Sequence, residues 1–182
     1  MDARSEKELI KQLRNNNQKA LEELYAQYYY RLCNFAFQYV RSFDLTEEIV
    51  SDVFLSIWKR RDRLKIRKSF KAYLYTATRN KALNYIKKEA GHWESIDEMD
   101  EQEMTSLNYN PEEELLFKEF KTQIDVLISV LPPRRKLIFK LSRLEGFTYR
   151  EIAEIMSISI HTVQNQMVAA IKQMSSMHLV DK

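Results

Sequence analysis

The sequence has few of the residues that interrupt helices. Its 182 residues include only 2 Gly and 3 Pro, whereas 45% are hydrophobic, which favours a helical chain with enough apolar mass for stable cores. No apolar run is long enough to span a membrane, and the charged start, MDARSEKELIKQL, lacks the apolar segment of a secretion signal. The single cysteine, Cys33, cannot form an internal disulfide and is expected to be a small buried hydrophobe. We therefore expect a cytoplasmic, all-α protein of one or two domains.

Arrangements of side chains suited to catalysis are also scarce. The three histidines, His92, His161 and His178, lie far apart in the sequence, without the spacing of metal ligands. Acidic residues cluster in one segment, 90–114, where no rigid catalytic geometry is expected. We therefore predict no enzyme, no metal or cofactor site and no small-molecule substrate.

Positive and negative charges are separated along the chain, although the net charge is only +3. Residues 59–88 contain 12 basic side chains and 1 acidic side chain, whereas residues 90–114 contain 9 acidic side chains and neither Lys nor Arg. Such blocks indicate segments with separate tasks. We predict two helical domains, 1–89 and 115–182, joined by a flexible acidic linker at 90–114. A solvated spacer, a polyanion that occupies a basic channel of a partner, and a segment that folds back on the basic block all remain open.

Apolar periodicity predicts four helices in the first domain. They span residues 5–14, 18–41, 46–60 and 69–89, with the third beginning near Thr46. In the second helix the expected buried side chains are Leu21, Leu24, Tyr25, Tyr28, Leu32, Phe35 and Tyr39. The third helix has an apolar stripe of Ile49, Val50, Val53, Phe54, Ile57 and Trp58. The opposite face of the third helix is polar and carries Glu47, Glu48, Ser51, Asp52 and Ser56.

Residues 59–71, between the third and fourth predicted helices, combine dense positive charge with Ile66 and Phe70. Basic side chains contact phosphates, and aromatic rings stack on unpaired bases. We therefore favour a nucleic-acid contact at residues 65–68. Phe70 and Tyr73 could equally belong to the core.

Residues 147–174 have the pattern of a helix-turn-helix. Thr148 and Glu151 have the spacing of a capping box, while Ser157-Ile158-Ser159 supplies the turn and Ser159 caps the second helix. The second helix is expected to bury Val163, Met167, Ala170, Ile171 and Met174. It would expose His161, Thr162, Gln164, Asn165, Val168 and Ala169. Such a helix fits the major groove of DNA, although a helical hairpin with a merely solvated face has the same pattern.

Three blocks in one order resemble a bacterial RNA polymerase sigma factor. They are LTEEIVSDVFLSIWKRRDRL (45–64), SFKAYLYTATRNKALNYIKKE (69–89) and LPPRRKLIFKLSRLEGFTYREIAEIMSISIHTVQNQMVAAIKQM (131–174). The order and the short connector are similar to the extracytoplasmic-function (ECF) group of the sigma-70 family. The resemblance implies a sigma region 2-like domain at 1–89 and a region 4-like domain at 115–182. Ser157 departs from the Gly that many helix-turn-helices carry in the turn, and the exposed recognition positions lack the Arg of many relatives.

The resemblance implies binding to core RNA polymerase, recognition of specific promoters and DNA melting during initiation. It assigns docking on the coiled coil of the largest polymerase subunit to Glu48, Ser51, Asp52 and Leu55. It assigns the −10 element, where a base flips into a protein pocket, to Lys65, Ile66, Arg67, Lys68, Ser69, Phe70, Tyr73, Thr76, Arg79 and Asn80. It assigns the duplex −35 element to His161, Thr162, Gln164, Asn165, Val168, Ala169 and Lys172.

The resemblance also implies partners and leaves rival classes to be tested. The run TVQNQMVAAIKQM is similar to members controlled by membrane-bound anti-sigma proteins, so an anti-sigma partner is expected besides core polymerase and promoter DNA. The acidic linker would approach the RNA exit path as a nucleic-acid mimic. A response-regulator output domain would share residues 131–174 but would need a receiver domain upstream. A stand-alone repressor would bind duplex DNA without polymerase.

Overall fold

The computed structural model describes residues 3–64, 66, 69–90 and 128–178. Within these ranges the chain forms α-helices and one 3₁₀ turn, Arg61–Arg63, without any strand, which confirms the all-α class. The helices are α1 Ala3–Arg14, α2 Gln18–Val40, α3 Phe43–Lys59, α4 Phe70–Ala90, α5 Pro133–Arg143, α6 Tyr149–Met156 and α7 Ile160–His178. The chain divides into two compact units, Met1–Trp93 and Glu94–Lys182. Apart from Ala90, the predicted linker at 90–114 lies outside the described residues.

Helix α2 is the central element of the first unit and packs against α1, α3 and α4. Its predicted apolar stripe is confirmed at Leu24, Tyr28, Leu32, Phe35 and Tyr39, which are all buried, while Leu21 and Tyr25 are half-buried. Helix α4 packs against this stripe, and the ring centres of Phe35 and Tyr75 lie 4.9 Å apart at the contact. The first unit therefore presents the outer faces of α3 and α4 to solvent.

Helix α3 begins at Phe43, three residues before the predicted start. Ser42 is its N-cap and accepts a hydrogen bond from the backbone N–H of Leu45 at 3.5 Å. Thr46, the predicted start, is buried, and its hydroxyl donates to the carbonyl of Ser42 at 2.7 Å. The predicted start was wrong because Ser42 and Thr46 both carry a hydroxyl group that can cap a helix. The sequence does not show which of the two will be buried inside the helix.

The second unit contains the predicted helix-turn-helix, formed by α6 and α7, with α5 packed against both. The capping box is confirmed: the Thr148 hydroxyl accepts from the Glu151 N–H at 3.3 Å, and the Glu151 carboxylate accepts from the Thr148 N–H at 2.9 Å. Ser157 ends α6 in the left-handed conformation at φ 54°. The Ser159 hydroxyl accepts from the Thr162 N–H at 2.9 Å, which confirms the predicted cap of α7.

Helix α7 buries Val163, Met167 and Ala170 as predicted, and Met174 is half-buried. Ile171 contradicts the prediction, because 46% of its surface is exposed. It lies about 80° around the helix from Val163, beyond the seam that the three buried residues form.

Arg135 joins α5 to α7 by two hydrogen bonds. Its Nε donates to Oε1 of Gln166 at 3.1 Å, and its Nη1 donates to Oε1 of Gln173 at 2.7 Å. Gln173 in turn donates to the carbonyl of Val130 at 2.8 Å. These bonds fix one side of α7 against the unit, so the opposite side remains available for a partner.

Candidate nucleic-acid and protein interfaces

The acidic face of α3, formed by Glu48, Ser51, Asp52 and Leu55, is exposed at all four positions. It lies opposite the predicted apolar stripe, which is buried at Ile49, Val50, Val53, Phe54 and Ile57 and half-buried at Trp58. Leu55 is 48% exposed, so the face combines carboxylates with an apolar side chain. Such a mixture of charge and apolar surface is suited to docking on another protein.

A groove of about 580 Å³ separates α3 from the last turns of α4. Glu48, Ile49 and Asp52 line one wall, while the other wall consists of Lys81, Asn84, Tyr85, Lys87 and Lys88. Lys81 Nζ lies 2.7 Å from Asp52 Oδ2 and bridges the two walls. Asp52, which is predicted to dock on the polymerase, is therefore already paired with a cation of α4. The sequence alone carried no signal for this pair, whose members are 29 positions apart.

The basic segment 59–69 is anchored at both ends. At its start, Arg61 donates to the carbonyl of Trp58 at 2.6 Å, and its guanidinium lies 4.2 Å from the centre of the Trp58 ring. Leu64 is buried, and its carbonyl accepts from Arg14 at 2.7 Å. At its end, the Ser69 hydroxyl accepts from the Ala72 N–H at 3.2 Å and caps α4. Arg61 therefore has a structural role, whereas Lys65, Arg67 and Lys68 lie outside the described residues.

Phe70 belongs to the core of the first unit, with 1% of its surface exposed. Its ring packs against those of Tyr28 and Tyr73, at centroid distances of 6.2 and 6.3 Å. In this arrangement the ring of Phe70 is enclosed by the core and offers no surface to a base. Ile66, which is half-buried, lies in the segment itself.

The remaining predicted −10 contacts lie along α4. Asn80 is exposed, and Tyr73, Thr76 and Arg79 are half-buried. Tyr73, Thr76 and Asn80 share one face of the helix, because they are spaced by three and four residues. Thr76 donates its hydroxyl to the carbonyl of Ala72 at 2.8 Å, so its donor is used within α4. Together with Arg79, which lies about 100° around the helix from Asn80, these residues provide an aromatic ring, an amide and a guanidinium. Such groups contact unpaired bases and phosphates.

The outer face of α7 carries the predicted duplex-binding residues. The exposed members are His161, Gln164, Asn165, Val168 and Lys172, while Thr162 and Ala169 are half-buried. The Thr162 hydroxyl lies 2.8 Å from that of Ser159, so Thr162 completes the cap of the helix. Asn165 Nδ2 and His161 Nδ1 lie 3.3 Å apart, which directs the Asn165 amide towards the N-terminal end of α7.

Two further properties concern the described residues only. None of their helices is long and apolar enough to cross a membrane. Among the same residues, no three His, Cys, Asp or Glu side chains are grouped so that they could hold a metal ion.

Comparison with known families identifies both units. Residues 24–92 match the family model for Sigma-70 region 2, and residues 121–174 match that for Sigma-70, region 4. Together the two matches span more than half of the chain, in the order that the sequence predicted. The first match includes α3 and α4, and the second includes the helix-turn-helix.

The chain is similar over most of its length to ECF RNA polymerase sigma-E factors. It is 25% identical to that of Escherichia coli over 169 residues, which are 89% of this chain and 88% of the relative. It is also 25% identical to that of Haemophilus influenzae over 172 residues, 89% of each chain.

Two solved structures share the fold. One is CnrH in complex with the cytosolic domain of CnrY, with a TM-score of 0.58, 17% identity and coverage of 96% of this chain and 97% of that chain. The other is the sigma factor RpoE in complex with the anti-sigma factor NepR from Bartonella quintana, with a TM-score of 0.54, 20% identity and coverage of 90% and 99%. With both regions matched and ECF relatives along most of its length, the chain belongs to the sigma-70 family of RNA polymerase sigma factors, in its extracytoplasmic-function group.

Proposed function

We propose that this chain binds core RNA polymerase in the cytoplasm, directs it to specific promoters and promotes DNA melting, without catalytic activity of its own. The observation that carries the proposal is the presence, in one chain, of a region 2 unit and a region 4 unit. The region 2 unit exposes an acidic face and a basic surface, and the region 4 unit exposes a capped helix-turn-helix.

In this proposal the acidic face of α3 docks on the polymerase. Glu48, Ser51 and Leu55 are exposed around Asp52, so a basic partner surface can approach without disturbing the buried stripe behind them. The interface is expected to be polar at its rim and apolar at Leu55, as in other protein interfaces.

The basic segment and α4 bind the melted −10 strand. Lys65, Arg67 and Lys68 supply positive charge between the buried anchors Leu64 and Phe70. The charged residues contact the phosphates, and Tyr73 with Asn80 contacts unpaired bases. Phe70 acts through packing, by holding the end of the segment on the core.

The second unit binds the −35 element as duplex. Helix α7 enters the major groove with its N-terminal half, where Gln164 and Asn165 are exposed and can pair with adenine edges. Residues 90–114, which lie between the predicted domains 1–89 and 115–182, act as an acidic linker that lets both elements be bound at once.

The partners of the structural relatives suggest regulation of this chain. CnrH was solved with the cytosolic domain of CnrY, and RpoE was solved with the anti-sigma factor NepR. We propose that this chain is likewise held by an anti-sigma protein, and that a membrane-bound one fits the resemblance of its α7 sequence.

Reconstitution with core polymerase tests the function directly. Purified chain is added to core enzyme and genomic DNA, and transcript starts are mapped. We expect discrete starts that core enzyme alone does not give, preceded by a shared pair of −35 and −10 sequences. Site-specific binding of duplex DNA by the chain alone, with no effect on transcript starts, would support a repressor and contradict the proposal.

A further inference from the structure

Val168 is an apolar side chain in the middle of a polar surface. With 67% of its surface exposed, it is more exposed than any other large hydrophobic residue of the described parts of the chain. It lies one turn after Gln164 and Asn165 and one turn before Lys172, all of which are exposed. Residues three and four positions apart are neighbours on a helix surface. A ligand that contacts the two amides therefore also meets the methyl groups of Val168.

The neighbouring side chains leave Val168 uncovered. Asn165 is hydrogen-bonded to His161 at 3.3 Å, one turn towards the start of α7 and away from Val168. The seam of Val163, Met167 and Ala170 buries the opposite side of the helix. The isopropyl group of Val168 is therefore directed outwards with its contact surface open.

The major groove offers one apolar group to such a side chain. Among the four bases, only thymine carries a methyl group at C5, next to its O4 acceptor, while the other base edges present donors and acceptors. An amide pairs with adenine N6 and N7, and an apolar side chain contacts the thymine methyl. The combination of Asn165 and Val168 therefore fits a run of A·T pairs.

We propose that Val168 recognises the 5-methyl group of a thymine in the −35 element. The assignment rests on the proposed function, because it requires α7 to lie in the major groove. Val168 is thereby a specificity-determining residue, and its partner is an A·T pair beside the base that the amides contact.

Uracil provides the test, because it lacks only the methyl group of thymine and keeps the same pairing edge. The −35 element is first selected from a random-sequence duplex library by the reconstituted holoenzyme. Each thymine of the selected duplex is then replaced by uracil, one at a time and on each strand. The equilibrium affinity of the holoenzyme for each duplex is measured with four forms of the chain: wild type, Val168→Thr, Val168→Ser and Ile171→Ser. Thr and Ser differ by one methyl group, and Ile171 is a second exposed β-branched residue of α7, which makes it the matched control.

We expect wild type to lose affinity at one thymine position by about fourfold, which corresponds to the burial of one methyl group. Val168→Thr and Ile171→Ser should keep this penalty, and Val168→Ser should remove it. Equal penalties in wild type and Val168→Ser would overturn the assignment, and so would the absence of a penalty at every thymine. A selected element without A·T pairs would overturn it as well. A holoenzyme with no −35 preference at all would instead contradict the proposed function, and this assignment would fall with it.

Discussion

Asp52 on α3 accepts a hydrogen bond from Lys81 on α4, with 2.7 Å between Oδ2 and Nζ. The pair joins the helix that we propose for polymerase docking to the helix that we propose for the −10 strand. Both side chains are partly exposed, at 54% and 34% respectively, so the bond itself is expected to add only about 0–1 kcal/mol to stability. Its position on the acidic face of α3 matters more than its strength.

Charge reversal tests the docking face. Replacing Glu48 and Asp52 together by Lys should weaken binding to core polymerase at least about tenfold, because two favourable charge interactions become repulsive. Binding is measured by titration of labelled core enzyme, with circular dichroism as the check on folding. Lys81→Met is the control, since it removes the internal ion pair and leaves the acidic face intact. Unchanged core affinity in the double variant would show that docking uses another surface.

Replacing Arg67 and Lys68 together by Ala should impair promoter opening. On a template already melted across the −10 element, the opening defect should disappear, while binding of the −10 single strand by holoenzyme should remain weaker. In a plot of log affinity for the strand against log salt concentration, the slope should become less negative by about 1.4. Each phosphate that is no longer neutralised accounts for about 0.7 of this change. Lys11→Ala with Lys19→Ala is the control, because it removes the same charge from exposed positions of α1 and α2. If the variant with Arg67 and Lys68 replaced behaves as wild type in all assays, the basic segment is exposed to solvent without contacting DNA.

Replacing Gln164 and Asn165 together by Ala should relax sequence preference at neighbouring base pairs of the −35 element, because each amide–adenine pair provides about 1–3 kcal/mol of discrimination. Holoenzyme binding to a set of single-base variants of the element measures this. Lys172→Ala is the comparison: we expect its ammonium group to contact a phosphate, and the loss of a phosphate contact weakens all sequences alike. If the double variant also weakens all sequences alike, the register proposed for α7 is wrong.

Thr148→Ala should destabilise the second unit by about 1 kcal/mol, because it removes the capping box of α6. Neither of the two Trp residues, Trp58 and Trp93, belongs to the predicted second domain, 115–182. The unfolding transition followed by Trp fluorescence should therefore be unchanged. Part of the far-ultraviolet circular dichroism signal, which also reports the second unit, should be lost at a lower denaturant concentration than in wild type. Thr148→Ser keeps the hydroxyl and should behave as wild type. A shift of the fluorescence transition alone would contradict the prediction.

Cys33 should react slowly in the native protein. Burial raises the pKa of its thiol to about 11, and only 4% of its surface is exposed. At pH 8 the native thiolate fraction is about a hundredfold below that of an ordinary thiol, so alkylation should be slow until the unit unfolds. Because the unfolded thiol ionises first, the contribution of Cys33 to stability should decline as the pH rises from about 9 to 11. Alkylation rates in native and denaturing buffer measure this, and equal rates would contradict it.

Local chemistry accounts for what the sequence determined by itself. The capping box of Thr148 and Glu151, the turn at Ser157 and the cap at Ser159 each involve residues within a few positions of one another. Apolar periodicity likewise depends only on helix geometry, so the stripes of α2 and α3 were predictable. The segregation of charge and the order of the three family blocks indicated the class of protein before any fold was known.

Tertiary packing decided the rest, because it depends on which elements meet. Ile171 continues the apolar pattern of α7, yet it is exposed because the seam with α5 and α6 does not reach it. Phe70 directly follows the basic segment, yet it is buried because α2 places Tyr28 against its ring. Asp52 and Lys81 pair only because α3 and α4 lie side by side. Sequence periodicity specifies a helix face, but the neighbouring helices determine whether each residue on that face contacts the core, an internal partner or solvent.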